Sequence, residues 1–355
     1  MQNNIADYHY DRLTSSGNYE AIFLNQYKVV NEFLQQNDWL FISPIFFQGI
    51  ELDMISKLDH DDNPKEKILT LVINKFFNIS HTASFIEGYC NRCKHIKPFL
   101  MSIEHSLILT FQKDYEGAIK TIIPIIEGVI RKYIVEEKGL NADKIKFEKI
   151  RKSFYLLRQD LIDVYLDILK NYTTENNEKL EFSEQQINNL IQQQTEYYDI
   201  WFSFVADFIN KSFYLNTNGQ PLTNEVNRHS ILHELGNKFE YSFENYIKIY
   251  FLLQFMTWAF LIKERKSTLN EISTLRFVEK VTAYETIIKH SEKLIYEKHL
   301  LYKNYDAYDS KFLREQFPLY GINILSKKHK TLADFIKKTS KSFWVKYGFD
   351  LNSTK

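Results

Sequence analysis

Leu222-Thr-Asn-Glu-Val-Asn-Arg-His-Ser-Ile-Leu-His-Glu-Leu-Gly236 holds three residues suited to phosphodiester chemistry: Arg228, His229 and His233. Thr223 or Asn224 can cap a helix here, Glu225 adds favourable charge to its first turn, and Gly236 is a natural stop. On such a helix, at about 100° per residue, His229 and His233 fall about 40° apart on one face. The long Arg228 side chain, about 100° from His229, can swing toward the same pocket. A guanidinium is permanently charged, grips phosphate in a fork and can stabilise the extra charge of a pentacoordinate phosphorane. A His can take the proton of a ribose 2′-hydroxyl or give one to a leaving 5′-oxygen. That reaction needs no metal and yields a 2′,3′-cyclic phosphate and a 5′-hydroxyl. The bare Arg–His spacing arises by chance about once in a chain of this composition, so its setting decides its meaning. By itself, a polar face on a short solvated helix accounts for it.

The elements that must position these residues read as helices. The chain has 355 residues with only 10 Gly and 6 Pro, too few for the many turns of a sheet-rich fold. Apolar residues recur at three and four. Ile145, Ile150, Phe154, Leu157, Leu161, Val164, Ile168 and Leu169 trace one stripe; Ile187, Leu190, Ile191, Tyr198, Trp201, Phe202 and Val205 trace another. Residues 241–263 are apolar almost all round, which predicts a central helix. Residues 277–303 and 331–345 read as amphipathic helices, and the N-terminal third, including Trp39 to Phe47, as helical without a clear period. Polar breaks fall at His60–Pro64, Glu136–Asp143, Thr173–Lys179 and Asn216–Pro221. The expected architecture is all-α: an N-terminal helical accessory region to about residue 100, a helical bundle over 101–265, and a C-terminal helical extension over 266–355.

Composition narrows the function classes. Lys+Arg and Asp+Glu both number 45, so no global basic field gathers nucleic acid and any such contact must be local. The best local basic patch is Lys327-Lys-His-Lys330 with Lys337-Lys-Thr-Ser-Lys341, near Phe343 and Trp344; a solvated face or an RNA-backbone contact both fit it. Two cysteines exclude a disulfide framework and suit a reducing compartment. The polar start lacks a secretory pattern, and the apolar run Ile249–Ile262 is too short to span a bilayer, so a cytoplasmic protein without membrane attachment is expected. Cys90-Asn-Arg-Cys93, with His95, has no second cysteine pair for zinc and no βαβ setting for redox work, and reads as incidental. His229 and His233 at i, i+4 could hold a metal, but no third ligand is evident; neither metal nor cofactor is expected.

The wider context of the motif resembles the HEPN family, helical domains of which many are ribonucleases. Asn227-Arg-His-Ser-Ile-Leu-His233 looks like the Asn-Arg-His-x-Ile-Leu-His form of one branch. Tyr115-Glu-Gly-Ala-Ile-Lys-Thr-Ile-Ile-Pro-Ile-Ile-Glu-Gly-Val-Ile-Arg131 is similar to that branch's first bundle helix, and Tyr241-Ser-Phe-Glu-Asn-Tyr246 with the apolar helix after it to its last. Glu234 stands where the branch usually has Gly, and Ile125 where it has Gln. The resemblance covers about residues 101–265 and implies an antiparallel helical bundle. By it, Arg228 stabilises the transition state, His233 is the acid–base residue, and His229 helps orient the phosphate, with Asn227 beside them. Glu127 and Arg131, four apart, form either a helix ion pair or a supporting pair near the motif. The resemblance further implies RNA as substrate, a homodimer with its motifs facing each other, and a toxin or anti-phage defence role; residues 1–100 and 266–355, outside it, are open to sensing a trigger, binding an inhibitor or activator protein, or completing the dimer. A non-catalytic helical adaptor that dimerises or binds nucleotides through the same bundle is the competing expectation. Leu235, where the nucleotidyltransferase-paired branch carries Tyr, argues against modification of that kind.

Overall fold

The computed structural model describes residues 2–37, 39, 55–60, 64–141, 147–173, 179–213, 231, 241–267 and 273–302. Their regular structure is all-α. No strand occurs among the described residues, where Thr173 and Lys179 form an isolated antiparallel bridge. The helices are α1 (Gln2–Gln36), α2 (Pro64–Lys75), α3 (Ile79–Ser84), α4 (Leu100–Phe111), α5 (Tyr115–Lys138), α6 (Phe147–Lys170), α7 (Glu184–Phe208), α8 (Phe243–Lys263) and α9 (Thr274–Tyr302). Phe85–Cys90 continues α3 as a π-helical turn, and Ile209–Phe213 does the same for α7. The chain forms two compact units, Met1–Phe277 and Val278–Lys355. In the second, the described residues are 278–302 of α9, where Tyr284, Ile288 and Ser291 are buried.

In the first unit, α4 packs on α5, α6 on α7, and α1 on α7, while α8 touches α5, α6 and the Phe85–Cys90 turn. The pattern that makes α8 central is its lack of a polar face. Every residue from Ile249 to Leu261 is buried, Gln254 and Thr257 included. A helix apolar all round has no side to show water, so neighbours must cover it. Each fully buried Leu or Phe contributes about 1.5–3 kcal/mol over leaving it exposed. By composition α8 is also long and apolar enough to cross a membrane, but here it is enclosed by other helices. Aromatic rings make the seam with α7: Phe202 meets Phe255 edge-on at 5.0 Å, and Trp201 lies 6.1 Å from Trp258.

Local signals set the helix ends. Asp114 caps α5 by accepting from the Gly117 N–H at 2.9 Å. Gly139, at φ 63°, ends it in the left-handed conformation that favours glycine, so the polar stretch from Glu136 stays helical to Lys138. Ser183 and Gln186 form a reciprocal capping box on α7, and Ser242 caps α8 through the Asn245 N–H. Pro124 sits inside α5 on an exposed face, where the carbonyl deprived of its partner can reach water.

Lys113, in the tight connection from α4 to α5, adopts φ 62° without being glycine. A side chain there costs about 1 kcal/mol. Lys113→Gly is therefore expected to stabilise the protein by about 0.5–1 kcal/mol, read as a melting-temperature rise of about 1–4 °C by circular dichroism.

Ile145 lies outside the described residues; the rest of both apolar stripes lies on packed faces, with one correction. Ile150, Phe154, Leu157, Leu161 and Leu169 of α6 are buried, but Ile168 is 41% exposed. The helix that would cover it stops at Lys263, and just beyond that end Arg265 reaches back to Asp167. At this end of α6, Leu169 joins a separate cluster with Phe182 and Leu190, against which Tyr10 and Leu13 of α1 pack. The expected turn at Asn216–Pro221, helix at 331–345 and lysine-rich stretches at 327–330 and 337–341 lie outside the described residues, as do residues 40–47.

Candidate functional site

Asn227, Arg228, His229 and His233 lie outside the described residues; within their motif Ile231 is described, and it is helical and fully buried. The residues that flank the surrounding segment are described. On one side is Phe213, fully buried at the end of the π-helical turn and 5.9 Å from the Phe208 ring. On the other is Tyr241, just before α8. There Lys120 of α5 places its ammonium 5.4 Å from the Tyr241 ring centre, and Phe243 meets Tyr115 at 5.9 Å and Phe77 at 5.4 Å. One turn on, Ser106 Oγ of α4 donates to Tyr246 Oη at 3.0 Å.

Helices α5 and α8 run parallel. Tyr115 meets Phe243 near their starts, and Tyr133 meets Phe260 near their ends, at 5.4 Å. Glu127 and Arg131 lie on α5 between these contacts. Glu127 is only 9% exposed and Arg131 is half-buried. Burial of this degree is unusual for a Glu. Gly128 is small for a local reason: a Cβ there would stand 2.7 Å from Cε1 of Phe99. The Glu-Gly pair thus combines an inward carboxylate with close approach of the 97–99 turn.

The structure builds a second polar constellation around residues that the sequence offers as incidental. Cys90, Cys93 and His95 are fully buried. His95 Nδ1 lies 3.0 Å from Glu264 Oε1, and its ring stacks on Phe260 at 4.6 Å. Its Nε2 faces Glu137 Oε1 at 3.4 Å, outside hydrogen-bonding geometry. Glu264 also accepts from the Lys94 backbone N–H at 2.9 Å and pairs with Lys266 at 2.6 Å. Burial would raise its pKa; the hydrogen bonds from His95, Lys266 and the Lys94 N–H outweigh that and bring it to about 2. The Lys263 ammonium 3.0 Å away holds Glu137 below the usual carboxylate range against the opposing effect of burial. Tyr133 donates to Asp160 at 2.8 Å, and burial together with that carboxylate pushes its phenol up.

This cluster ties the ends of α5 and α8 and the middle of α6 to the turn after Cys90. It does not assemble a nucleophile. Cys93 Sγ sits 3.7 Å from Glu264 Oε1, and burial followed by that carboxylate pushes the thiol up, away from the reactive thiolate. Burial likewise raises Cys90. Among the described residues, no three His, Cys, Asp or Glu side chains converge as metal ligands. Sequence reasoning missed Glu137 and Glu264 because their partner His95 is 42 and 169 residues away, beyond any local period. No protein-family model, curated protein or solved structure matches the chain.

Proposed function

We propose that the protein is a metal-independent endoribonuclease of the HEPN type, acting in the cytoplasm as a toxin or anti-phage effector. The observation that carries this reading is the segment Asn227-Arg-His-Ser-Ile-Leu-His233, preceded by the Tyr115–Arg131 helix and followed by the apolar helix from Tyr241. Further support comes from the burial of Glu127, which suits a group that orients the motif from within a bundle.

In the proposed reaction a ribose 2′-oxygen attacks the adjacent phosphorus while a histidine takes its proton. The bond from phosphorus to the 5′-oxygen then breaks, and that oxygen receives a proton. The ends are a 2′,3′-cyclic phosphate and a 5′-hydroxyl. Arg228 neutralises the charge gained by the phosphorane, His233 moves the proton, and His229 orients the phosphate. Cleavage needs both a base and an acid, and a homodimer with facing motifs supplies two copies of each group.

The test is incubation of total tRNA and mRNA with the purified protein in excess EDTA. Cleavage leaving cyclic phosphate ends is expected. A folded protein that leaves both RNAs intact would instead favour a helical adaptor.

A further inference from the structure

The His95 ring is fully buried, stacked on Phe260 of α8 and edge-on to Tyr133 of α5 at 6.0 Å. A carboxylate faces each of its nitrogens. Glu264 Oε1 lies 3.0 Å from Nδ1, and Glu137 Oε1 lies 3.4 Å from Nε2. Both carboxylates titrate below the ordinary range, so both are charged near neutral pH. A neutral imidazole has one N–H and one lone pair. Between two carboxylates it donates to one and turns its lone pair on the other. The doubly protonated ring gives each of them a donor. Burial penalises a charge on the ring, but it also removes the water that would separate a lone pair from a carboxylate.

We infer that His95 carries a proton on both nitrogens and acts as a cationic brace between Glu137 near the end of α5 and Glu264 at the end of α8, a brace that loosens as pH rises. The inference concerns the fold and does not depend on the ribonuclease reading. The neighbouring lysines do not take the place of the ring. Lys266 pairs with Oε2 of Glu264 at 2.6 Å and Lys263 with Oε2 of Glu137 at 3.0 Å, which leaves Oε1 of each toward His95. Lys94 reaches Glu137 Oε1 at 3.4 Å, but from the solvent side. Further out, Lys138 pairs with Asp160 of α6, and Glu136 with Lys132 and Lys94, so those charges are matched among themselves. Cys93 and Tyr133 stay neutral, since burial raises both. Loss of one ring proton turns a lone pair on Glu137 or Glu264 and weakens the tie between the two helix ends. The brace is therefore strongest where the carboxylates are ionised and the ring is charged, and it fails on the alkaline side by a different group from the one that fails in acid.

The test uses the full chain labelled with ring-15N histidine, its nitrogens followed by NMR from pH 6 to pH 9. The His95 signals are those missing from His95→Gln. Glu137→Gln keeps the side-chain shape and an oxygen at a partly exposed position, and it moves the same signals, so it identifies them if His95→Gln does not fold. At pH 7.5 an ordinary histidine is about one-tenth protonated. His95 is expected to show two N–H nitrogens there. Glu137→Gln should lower the pH at which one proton leaves by about 1–3, the effect of a single opposite charge at this range. The gap in melting temperature between wild type and Glu137→Gln should narrow as pH rises from 6 to 9, down to the part that Lys263 and Lys94 supply. A bare ring nitrogen on wild-type His95 at pH 7.5, or a gap that stays constant from pH 6 to pH 9, overturns the proposal.

Discussion

Under the proposed ribonuclease reading, Arg228→Ala and His233→Ala are each expected to give a folded protein that no longer cuts RNA in excess EDTA. The expected losses are large because in the proposed reaction both groups act where charge and protons move. Removing one preorganised donor to a developing oxyanion lowers turnover by about 100–1,000-fold. Removing a positioned acid or base lowers it by about 100–10,000-fold. Arg228→Lys separates charge from shape: it keeps the cation but loses the planar fork, so it should restore only part of the activity. His229→Ala, at the phosphate-orienting position, should cost less than His233→Ala. Far-UV circular dichroism and melting curves matching wild type are part of the expected result, since the argument concerns chemistry and not folding. Gel analysis should show wild-type products whose 3′ ends resist ligation to a 5′-phosphorylated oligonucleotide until their cyclic phosphates are opened and the remaining phosphate is removed. Activity that persists in the double variant would move the nuclease away from this segment altogether.

How far the sequence spoke for this protein depends on the range of the interaction. The all-α class was legible from scarce Gly and Pro and from the three-and-four stripes, because helix burial is periodic along the chain. The centrality of α8 was legible for the opposite reason: residues 249–261 lack any polar face, and a helix with no outside must be inside. Ile168 shows the limit. It continues the face of Leu157 and Leu161 by period, yet it is exposed because the covering helix ends at Lys263. Nothing within α6 encodes where α8 stops. The burial of Glu127 was not legible in the sequence, where a helix ion pair with Arg131 and a supporting pair near the motif fitted equally well. The cluster at His95 was invisible, as its members come from three helices and a turn. The π-helical turn at Ile209–Phe213 carries no known sequence period either.

Glu264→Ala is the stability change with the largest expected effect. Its carboxylate is 10% exposed and serves His95, Lys266 and the Lys94 N–H together. Deleting it leaves a buried imidazole and a backbone donor without their acceptor. Leaving a buried polar group without its acceptor costs about 1–3 kcal/mol, and the several hydrogen bonds lost together argue for the upper end. For a unit of this size that corresponds to a melting-temperature drop of about 4–12 °C. Glu264→Gln keeps the shape and an acceptor oxygen, so it should lose less. The pH dependence carries a definite sign. The folded pKa of about 2 lies below the ordinary value of 4.5, so the ionised carboxylate stabilises the native state. That contribution is fully present above pH 4.5 and is lost as pH falls toward 2. Glu136 and Glu137, also held low by their lysine partners, add to the same trend. The gap in melting temperature between wild type and Glu264→Gln should therefore be widest near neutral pH, narrow below pH 4.5 and close near pH 2. A gap that stays constant from pH 7 to pH 3 would mean that Glu264 acts through packing and not through its charge.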